Sequence, residues 1–276
     1  MSEPIILIPL DGSEHALAAL PVAKVLGDVE RASLRIFHVA DRRPAAGELP
    51  PTLRLEEPAL DDSTIDLSVG EPAAEILLMA GEIKPRMIVM CTHTAAKREK
   101  VLGSTAMNVV RNAACPVVLV APERGSIPWQ LRHVMVPHDG TPTTSAALPP
   151  VAELARHAGA ELLVAHVAEA KPAPGEPGSF TTPGYVDQPQ HEWPAWSSEF
   201  IKRVACICPL DHLHVRTFLA HGDPAAEILR LAREQSTDLI GLAWRGAWEA
   251  PRAAIFRRVI GEVGCRVMVA LMVVRA

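Results

Sequence analysis

The sequence predicts an α/β protein with two tandem domains, at 1–125 and 126–276, each built on a five-stranded parallel sheet. Three observations lead to this prediction. The same sequence blocks occur twice and in the same order. Short, wholly apolar runs alternate with amphipathic helical segments, the pattern of parallel strands that helices cover on both faces. Finally, 276 residues are enough for two cores of ordinary size.

The internal repeat consists of two matched blocks with different register shifts. Residues 5–13 read IILIPLDGS and residues 133–141 read HVMVPHDGT, a shift of 133 − 5 = 128. Residues 70–77 read GEPAAEIL and residues 222–229 read GDPAAEIL, a shift of 222 − 70 = 152. A period this long excludes small solenoid repeats. Matched blocks in one order, with an insertion between them, indicate a duplicated domain.

The first copy opens with an apolar run that predicts a buried strand. Ser13 is placed to cap a helix that ends at about Gly27. The GEPAAEIL block begins a second helix, with proline in the first turn, and 103–113 predict a third. Prolines within 40–64 indicate that the usual crossover helix is missing or cut to one turn. The predicted strands are 5–10, 34–39, 65–69, 87–91 and 117–120.

The second copy repeats this order and adds a proline-rich insertion at about 170–195. Asp223 and Glu227 form a capping box, with Pro224 at the first helical position. A helix is predicted at 196–206. Two interpretations of the insertion remain open: a loop pinned to the surface by its aromatic residues, or a lid or partner-binding flap. The predicted strands are 134–136, 162–167, 215–219, 239–242 and 267–274.

Composition and charge argue against several function classes. The net charge of −5 argues against nonspecific binding to nucleic acid or to an anionic membrane, because both require a basic surface. The longest apolar run, 267–274, is too short to span a bilayer. The acidic N-terminus does not resemble a secretory signal. Five cysteines form no disulfide-type framework, which indicates a protein of the reducing cytoplasm.

Three motifs together carry a family resemblance. They are Pro-x-Asp-Gly-Ser after the first strand, Gly-x-Pro-Ala before the second helix, and Gly-Ser-x-Ala with Cys-Pro-Val before the last strand. The chain resembles the universal stress protein family, and its two copies resemble the tandem members. The resemblance implies Rossmann-like, adenine nucleotide alpha hydrolase-like domains that form a pseudo-dimer. It also implies a non-catalytic stress-response regulator, a homodimer, and a protein partner that stays unknown.

In nucleotide-binding members of that family, a glycine-rich loop after the fourth strand and the helix that follows it bind phosphate. Backbone amides and the helix dipole favour negative charge there. In the first copy Cys91 and Thr94 replace both leading glycines, while the final Gly-Ser pair is intact. The resemblance implies a candidate site for ATP or AMP in this copy. Its residues would be Pro9, Asp11, Gly12, Ser13, Val39, Thr94, Gly103 and Ser104.

The second copy retains less of this loop. At the expected helix start the Gly-Ser pair is replaced by Ala253-Ala254. Trp244 and Trp248 are large enough to fill the space that a nucleotide would need. The resemblance therefore implies a structural role for this copy. Its degenerate site would comprise Asp139, Gly140, Thr141, Val167 and Gly246.

The histidines offer no strong metal or catalytic pattern. His212-x-His214 leads into a strand, where alternation puts both rings on one face, but no third ligand follows at a fixed spacing. His15, His93 and His138 lie near the expected ligand sites, with no nucleophile pattern around them. We therefore predict no metal. Two alternatives to the nucleotide-binding regulator stay open: a protein-interaction module with both sites degenerate, and a weak ATP hydrolase.

Overall fold

The computed structural model describes residues 3–41, 53, 63–92, 102–121, 128–168, 177–180, 189–244, 251–266 and 270–275. It divides into two compact units, the first made of Met1–Gln130 and Val263–Arg275 and the second of Leu131–Glu262 with Ala276. Parallel strands alternate with helices in both units, which confirms the α/β class. Most of the crossover region within 40–64 and most of the insertion lie outside the described residues.

The first unit holds five parallel strands, and the central ones are buried along their apolar runs. They are β1 (Ile5–Pro9), β2 (Ser33–Ala40), β3 (Ser63–Val69), β4 (Met87–Cys91) and β5 (Val117–Val120). Their order is β3-β2-β1-β4-β5, so the winding reverses between β1 and β4. Ligands of such sheets bind outside the carboxyl ends of the strands at this reversal. The helices are α1 (Ala19–Glu30), α2 (Pro72–Ile83) and α3 (Ser104–Asn112).

The second unit repeats the arrangement with four parallel strands among its described residues. They are β6 (His133–Pro137), β7 (Glu161–Ala168), β8 (Val215–His221) and β9 (Leu239–Trp244), in the order β9-β6-β7-β8. The helices are α4 (Pro142–Ser145), α5 (Leu148–Ala158), α6 (Pro189–Ile207), α7 (Pro224–Glu234) and α8 (Pro251–Arg266). Helix α6 is longer than predicted and contains Pro194. Within the described part of the chain, no helix is both long and apolar enough to cross a membrane.

The strand β10 (Ala270–Arg275) belongs to the first unit and pairs antiparallel with β5. Leu271 is opposite Leu119, and Val273 is opposite Val117. This pairing brings the last strands of the two copies together. The fifth strand of the second copy therefore adds to the sheet of the first unit.

Helix α1 differs from its prediction at both ends. The Ser13 hydroxyl accepts a hydrogen bond of 3.2 Å from the first amide of a 3₁₀ helix, Ala16–Ala18, and α1 follows only after it. Gly27 does not end α1, which runs on to Glu30 and is followed by Arg31 as its C-cap in the left-handed conformation (φ 50°). Gly27 instead lies within α1, where a Cβ would lie 3.0 Å from Leu34 Cδ2, so the glycine leaves room for the end of that side chain.

The repeated acidic-Pro-Ala-Ala-Glu motif starts a helix in both units. Glu71 caps α2 and Asp223 caps α7, each by accepting a first-turn amide, at 2.7 and 2.8 Å. A proline follows each cap, as predicted. Glu227 is the fourth residue after the cap, one beyond the N3 position of a capping box, so the predicted capping box is wrong. Its carboxylate pairs with Arg230 at 2.8 Å.

The two histidines before β8 do not share a strand face. His212 and His214 precede β8, which begins at Val215, and His212 lies in a turn with φ 61°. The prediction that alternation would align their rings is therefore wrong. Among the residues that the structure describes, no group of three or more His, Cys, Asp or Glu is placed to hold a metal ion.

Candidate functional site

The loop after β1 places an exposed carboxylate at the carboxyl end of the first sheet. Pro9 ends β1, Leu10 is buried, and Asp11 is exposed. Gly12 adopts φ 82°, a conformation that glycine reaches without a steric penalty. Asp11 Oδ1 accepts the Ser13 amide at 2.9 Å, which fixes the turn. The structure thus brings the predicted Pro-x-Asp-Gly-Ser residues together.

A buried histidine, which the sequence reasoning missed, supports this loop. His38 in β2 is 6% exposed, and its Nδ1 lies 2.8 Å from the Leu10 carbonyl oxygen. Since a carbonyl only accepts, Nδ1 carries the hydrogen. Val39 follows His38 and is half-buried near the end of β2. In the second copy His166 makes the same 2.8 Å bond to the carbonyl of His138. The two histidines are related by the shift 166 − 38 = 128, which also relates the two loops, so the repeat in the sequence could have identified them.

The loop after β4 is closed at its base by backbone hydrogen bonds. The Thr92 amide donates to the Val120 carbonyl at 2.9 Å, and the Gly103 amide donates to the Thr92 carbonyl at 2.9 Å. Gly103 is the N-cap of α3 and, as a glycine, has no side chain with which to cap it. Ser104 follows and is exposed. Thr94 lies outside the described residues.

The equivalent loop after β6 is closed by a network on Asp139. Its Oδ1 accepts the Thr141 amide at 3.0 Å, the Thr141 hydroxyl at 2.6 Å and the Thr144 hydroxyl at 2.8 Å. Gly140 adopts φ 83°, as Gly12 does in the first copy. Thr141 is 1% exposed. This carboxylate oxygen is therefore engaged by its own loop.

His138 lies beneath the same loop and is held as a neutral imidazole. The Gly140 amide donates to Nδ1 at 2.9 Å, so the ring hydrogen is on Nε2, which donates to the Ser145 hydroxyl at 3.0 Å. The Ser145 hydroxyl donates to the Thr141 carbonyl at 2.9 Å. Burial lowers the pKa of His138 to about 4. Because His138 donates to Ser145, the pair is not arranged as a base and its nucleophile.

Three aromatic residues, Phe180, Trp196 and Phe200, form what we term the ring cap. The Phe180 amide donates to the Gly140 carbonyl at 2.7 Å. The rings of Phe180 and Trp196 stack at 5.7 Å between centroids, and those of Trp196 and Phe200 at 4.8 Å. The His166 ring lies 4.5 Å from Trp196. The ring cap therefore lies at the carboxyl ends of β6 and β7.

The start of α8 differs from the start of α3. Helix α8 begins at Pro251, so the prediction that Ala253-Ala254 start this helix is wrong. Proline has no amide hydrogen to offer an anion. Ala253 is 4% exposed, whereas the matching Gly103 is half-buried. The first turn of α8 is therefore less accessible to an anion than the first turn of α3.

Trp244 ends β9 at the position that Thr92 holds in the first copy, since 244 − 92 = 152. Trp244 is 3% exposed, and its ring lies 4.6 Å from that of Phe256 in α8. Its bulk packs inside the second unit. Val167 is half-buried in β7. Gly246 and Trp248 lie outside the described residues.

The two sheets, each with loops that gather at the carboxyl ends of its strands, define a tandem α/β protein of the Rossmann-like type. The family model of the universal stress proteins matches residues 4–121 and 130–275. The chain therefore belongs to the universal stress protein family, with two copies in tandem, and the resemblance is confirmed. No curated protein matches this chain in sequence.

Solved structures share the fold over both copies. A universal stress protein from Archaeoglobus fulgidus DSM 4304 is 18% identical, with a TM-score of 0.65, over 98% of this chain and 96% of its own. A protein of unknown function from Pseudomonas aeruginosa PAO1 is 14% identical, with a TM-score of 0.68, over 99% of this chain and 93% of its own. At these identities the likeness concerns the fold alone.

Proposed function

We propose that this universal stress protein binds an adenine nucleotide, ATP or AMP, in its first copy alone and acts as a non-catalytic regulator. The observation that carries the proposal is the contrast between the two clefts. In the second copy the ring cap lies on Gly140 and His166. In the first copy the side chains of Asp11 and Ser104 are exposed.

The first copy offers groups of the kind that a nucleotide needs. Asp11 presents a carboxylate, which can accept hydrogen bonds from hydroxyl or amino groups. Val39, half-buried near the end of β2, can supply an apolar contact to a base. The N-cap of α3 is Gly103, which has no side chain to occupy the helix start, and helix N-termini favour negative charge. These groups support a site for the base at one end and for phosphate at the other.

The second copy is poorly suited to the same ligand. Asp139 already accepts three hydrogen bonds within its loop. Admitting a nucleotide would require displacing the ring cap. Exposing a buried large apolar side chain costs about 1.5–3 kcal/mol. We propose that this copy serves the structure of the protein.

The regulator is proposed over a hydrolase because of one contact. His138 donates its hydrogen to Ser145 and cannot act as the base for that hydroxyl. We further propose a cytoplasmic location, since Cys91, Cys115, Cys206 and Cys208 are free thiols. A homodimer is also proposed, and light scattering of the purified chain would measure its mass in solution.

Isothermal titration with ATP and AMP tests the nucleotide proposal. We expect one nucleotide per chain, and at least about ten-fold weaker binding for Asp11→Ala and for Gly103→Val. Asp28→Ala, which removes an exposed carboxylate from α1, is the matched control and should bind as the wild type does.

The outcomes separate the alternatives. Absence of binding heat in the wild type would overturn the proposal and favour a protein-interaction module. Two nucleotides per chain would contradict the restriction to the first copy. Phosphate release from ATP that Asp11→Ala abolishes would favour the hydrolase.

A further inference from the structure

The ring cap contacts two buried histidines, and the first, His138, is held as a neutral imidazole. It accepts the Gly140 amide on Nδ1 and donates through Nε2 to Ser145. A second proton could bind only at Nδ1. The new N–H would then point at the Gly140 N–H, and the two donors would repel each other. The Gly140 carbonyl accepts the Phe180 amide at 2.7 Å. A displacement of Gly140 therefore acts directly on the ring cap.

His166 is the second histidine of this pair. Its Nδ1 donates to the His138 carbonyl, so a second proton must enter at Nε2. His166 is 3% exposed, and its Nε2 has no hydrogen-bond partner within the described part of the chain. The ring lies 4.5 Å from Trp196 and 5.5 Å from Phe200. A proton on Nε2 would thus be buried beside aromatic rings without an acceptor, which is strongly unfavourable.

The charges around the two rings do not compensate for their burial. Asp139, in the loop after β6, favours the charged form of both imidazoles, and His221, at the end of β8, disfavours it at His166. Helix α6 adds the guanidinium of Arg203, which lies 4.2 Å over the Phe180 ring of the cap. Burial outweighs the carboxylate: it lowers the pKa of His138 to about 4, and it also lowers the pKa of His166.

We propose that the ring cap is an acid-sensitive lid: protonation of His138 and His166 releases Phe180, Trp196 and Phe200 from the second-copy cleft. At neutral pH both imidazoles are uncharged and the lid is closed. Release of the lid gives the two cations access to water and uncovers the loop at Gly140. The proposal concerns the second copy and is independent of nucleotide binding in the first.

Hydrogen exchange of the full chain at pH 7.5 and 4.5, corrected for intrinsic rates, tests the lid. The Phe180 amide is the reporter, because it is bonded to the Gly140 carbonyl. The pKa of His138 is about 4 in the closed state and should be an ordinary 6.5 in the open state. The equilibrium constant for lid opening should therefore increase roughly fifty-fold or more at the lower pH. The Leu10 amide, bonded to the Phe37 carbonyl at 2.9 Å in the first unit, is the internal control.

Matched variants identify the responsible groups. His138→Asn with His166→Asn removes both titrations but keeps an amide group that can accept from or donate to the backbone. This double variant should show no pH-dependent exchange at Phe180. His38→Asn, at the equivalent of position 166 in the first copy, should respond as the wild type does.

The wild-type experiment decides the proposal by itself if the double variant does not fold. Unchanged protection of Phe180 at pH 4.5 would overturn it. Loss of protection at Phe180 and Leu10 together would also overturn it, because this would be global unfolding. Persistence of the pH response in a folded double variant would exclude the two histidines as the trigger.

Discussion

Gly241 lies so close to Val151 that a Cβ at position 241 would stand 2.4 Å from Val151 Cγ2. Gly241 is in the middle of β9, and Val151, fully buried, is in α5. The missing side chain allows α5 to approach the sheet at this point. A glycine in the middle of a strand is otherwise unfavourable, so this close approach is its physical reason.

Replacing Gly241 should destabilise the protein through steric overlap. Gly241→Ala is expected to lower the free energy of unfolding by about 1–3 kcal/mol, the range for overpacked cores. Gly81→Ala is the matched control, because a Cβ at position 81 in α2 meets nothing within 4 Å. This control should be neutral or stabilising by up to about 1 kcal/mol. Urea denaturation followed by circular dichroism measures both, and equal effects would contradict the steric account.

Trp196 should be a major contributor to the stability of the second unit. It is 9% exposed, stacks on Phe180 and Phe200, and lies 4.5 Å from the tilted ring of His166. Trp196→Ala is expected to reduce the free energy of unfolding by about 3 kcal/mol or more, because it opens a cavity between these rings. Leu78→Ala, at a side chain on α2 that is 58% exposed, serves as the control and should change stability by under about 1 kcal/mol. A similar midpoint shift for both variants would disprove the role of the ring.

Cys115 should react slowly with alkylating reagents at neutral pH. Burial raises the pKa of its thiol to about 11, so the reactive thiolate is a minor species well above pH 8. Its rate with iodoacetamide should rise about ten-fold per pH unit from pH 7 to 10 without levelling off. Peptide mapping after timed labelling measures this rate, with the exposed Cys206 as the faster internal reference. Labelling of Cys115 as fast as Cys206 at pH 8 would refute the prediction.

The strands could be predicted from the sequence because a wholly apolar run is unfavourable in water and is therefore expected to be buried. β4 and β5 begin and end where the apolar residues do. Helix ends were less predictable, as Gly27 illustrates. Glycine often ends helices, but Gly27 lies within α1 and leaves room for Leu34 of β2. This contact depends on tertiary packing.

The ring cap could be predicted only in part. Trp196, Phe200 and Val204 follow the i, i+4, i+8 spacing of one helix face, and all three are buried. That spacing predicts a buried stripe on α6. The partners of the stripe, Phe180 and His166, lie in other segments, and no local periodicity relates them to it. His38 and His166 could have been identified from the repeat, because the same register shift that aligns the two loops also aligns the two histidines.

The pairing of β10 with β5 has a consequence for the order of folding. Leu271 and Leu119 are partners that lie 271 − 119 = 152 residues apart. During synthesis β5 can fold with β4 at once, but its other edge stays open until the intervening chain has left the ribosome. An unpaired edge strand is a template for association with other chains. The nascent first unit therefore passes through a period in which its sheet edge is unprotected, and rapid translation of the second copy would shorten that period.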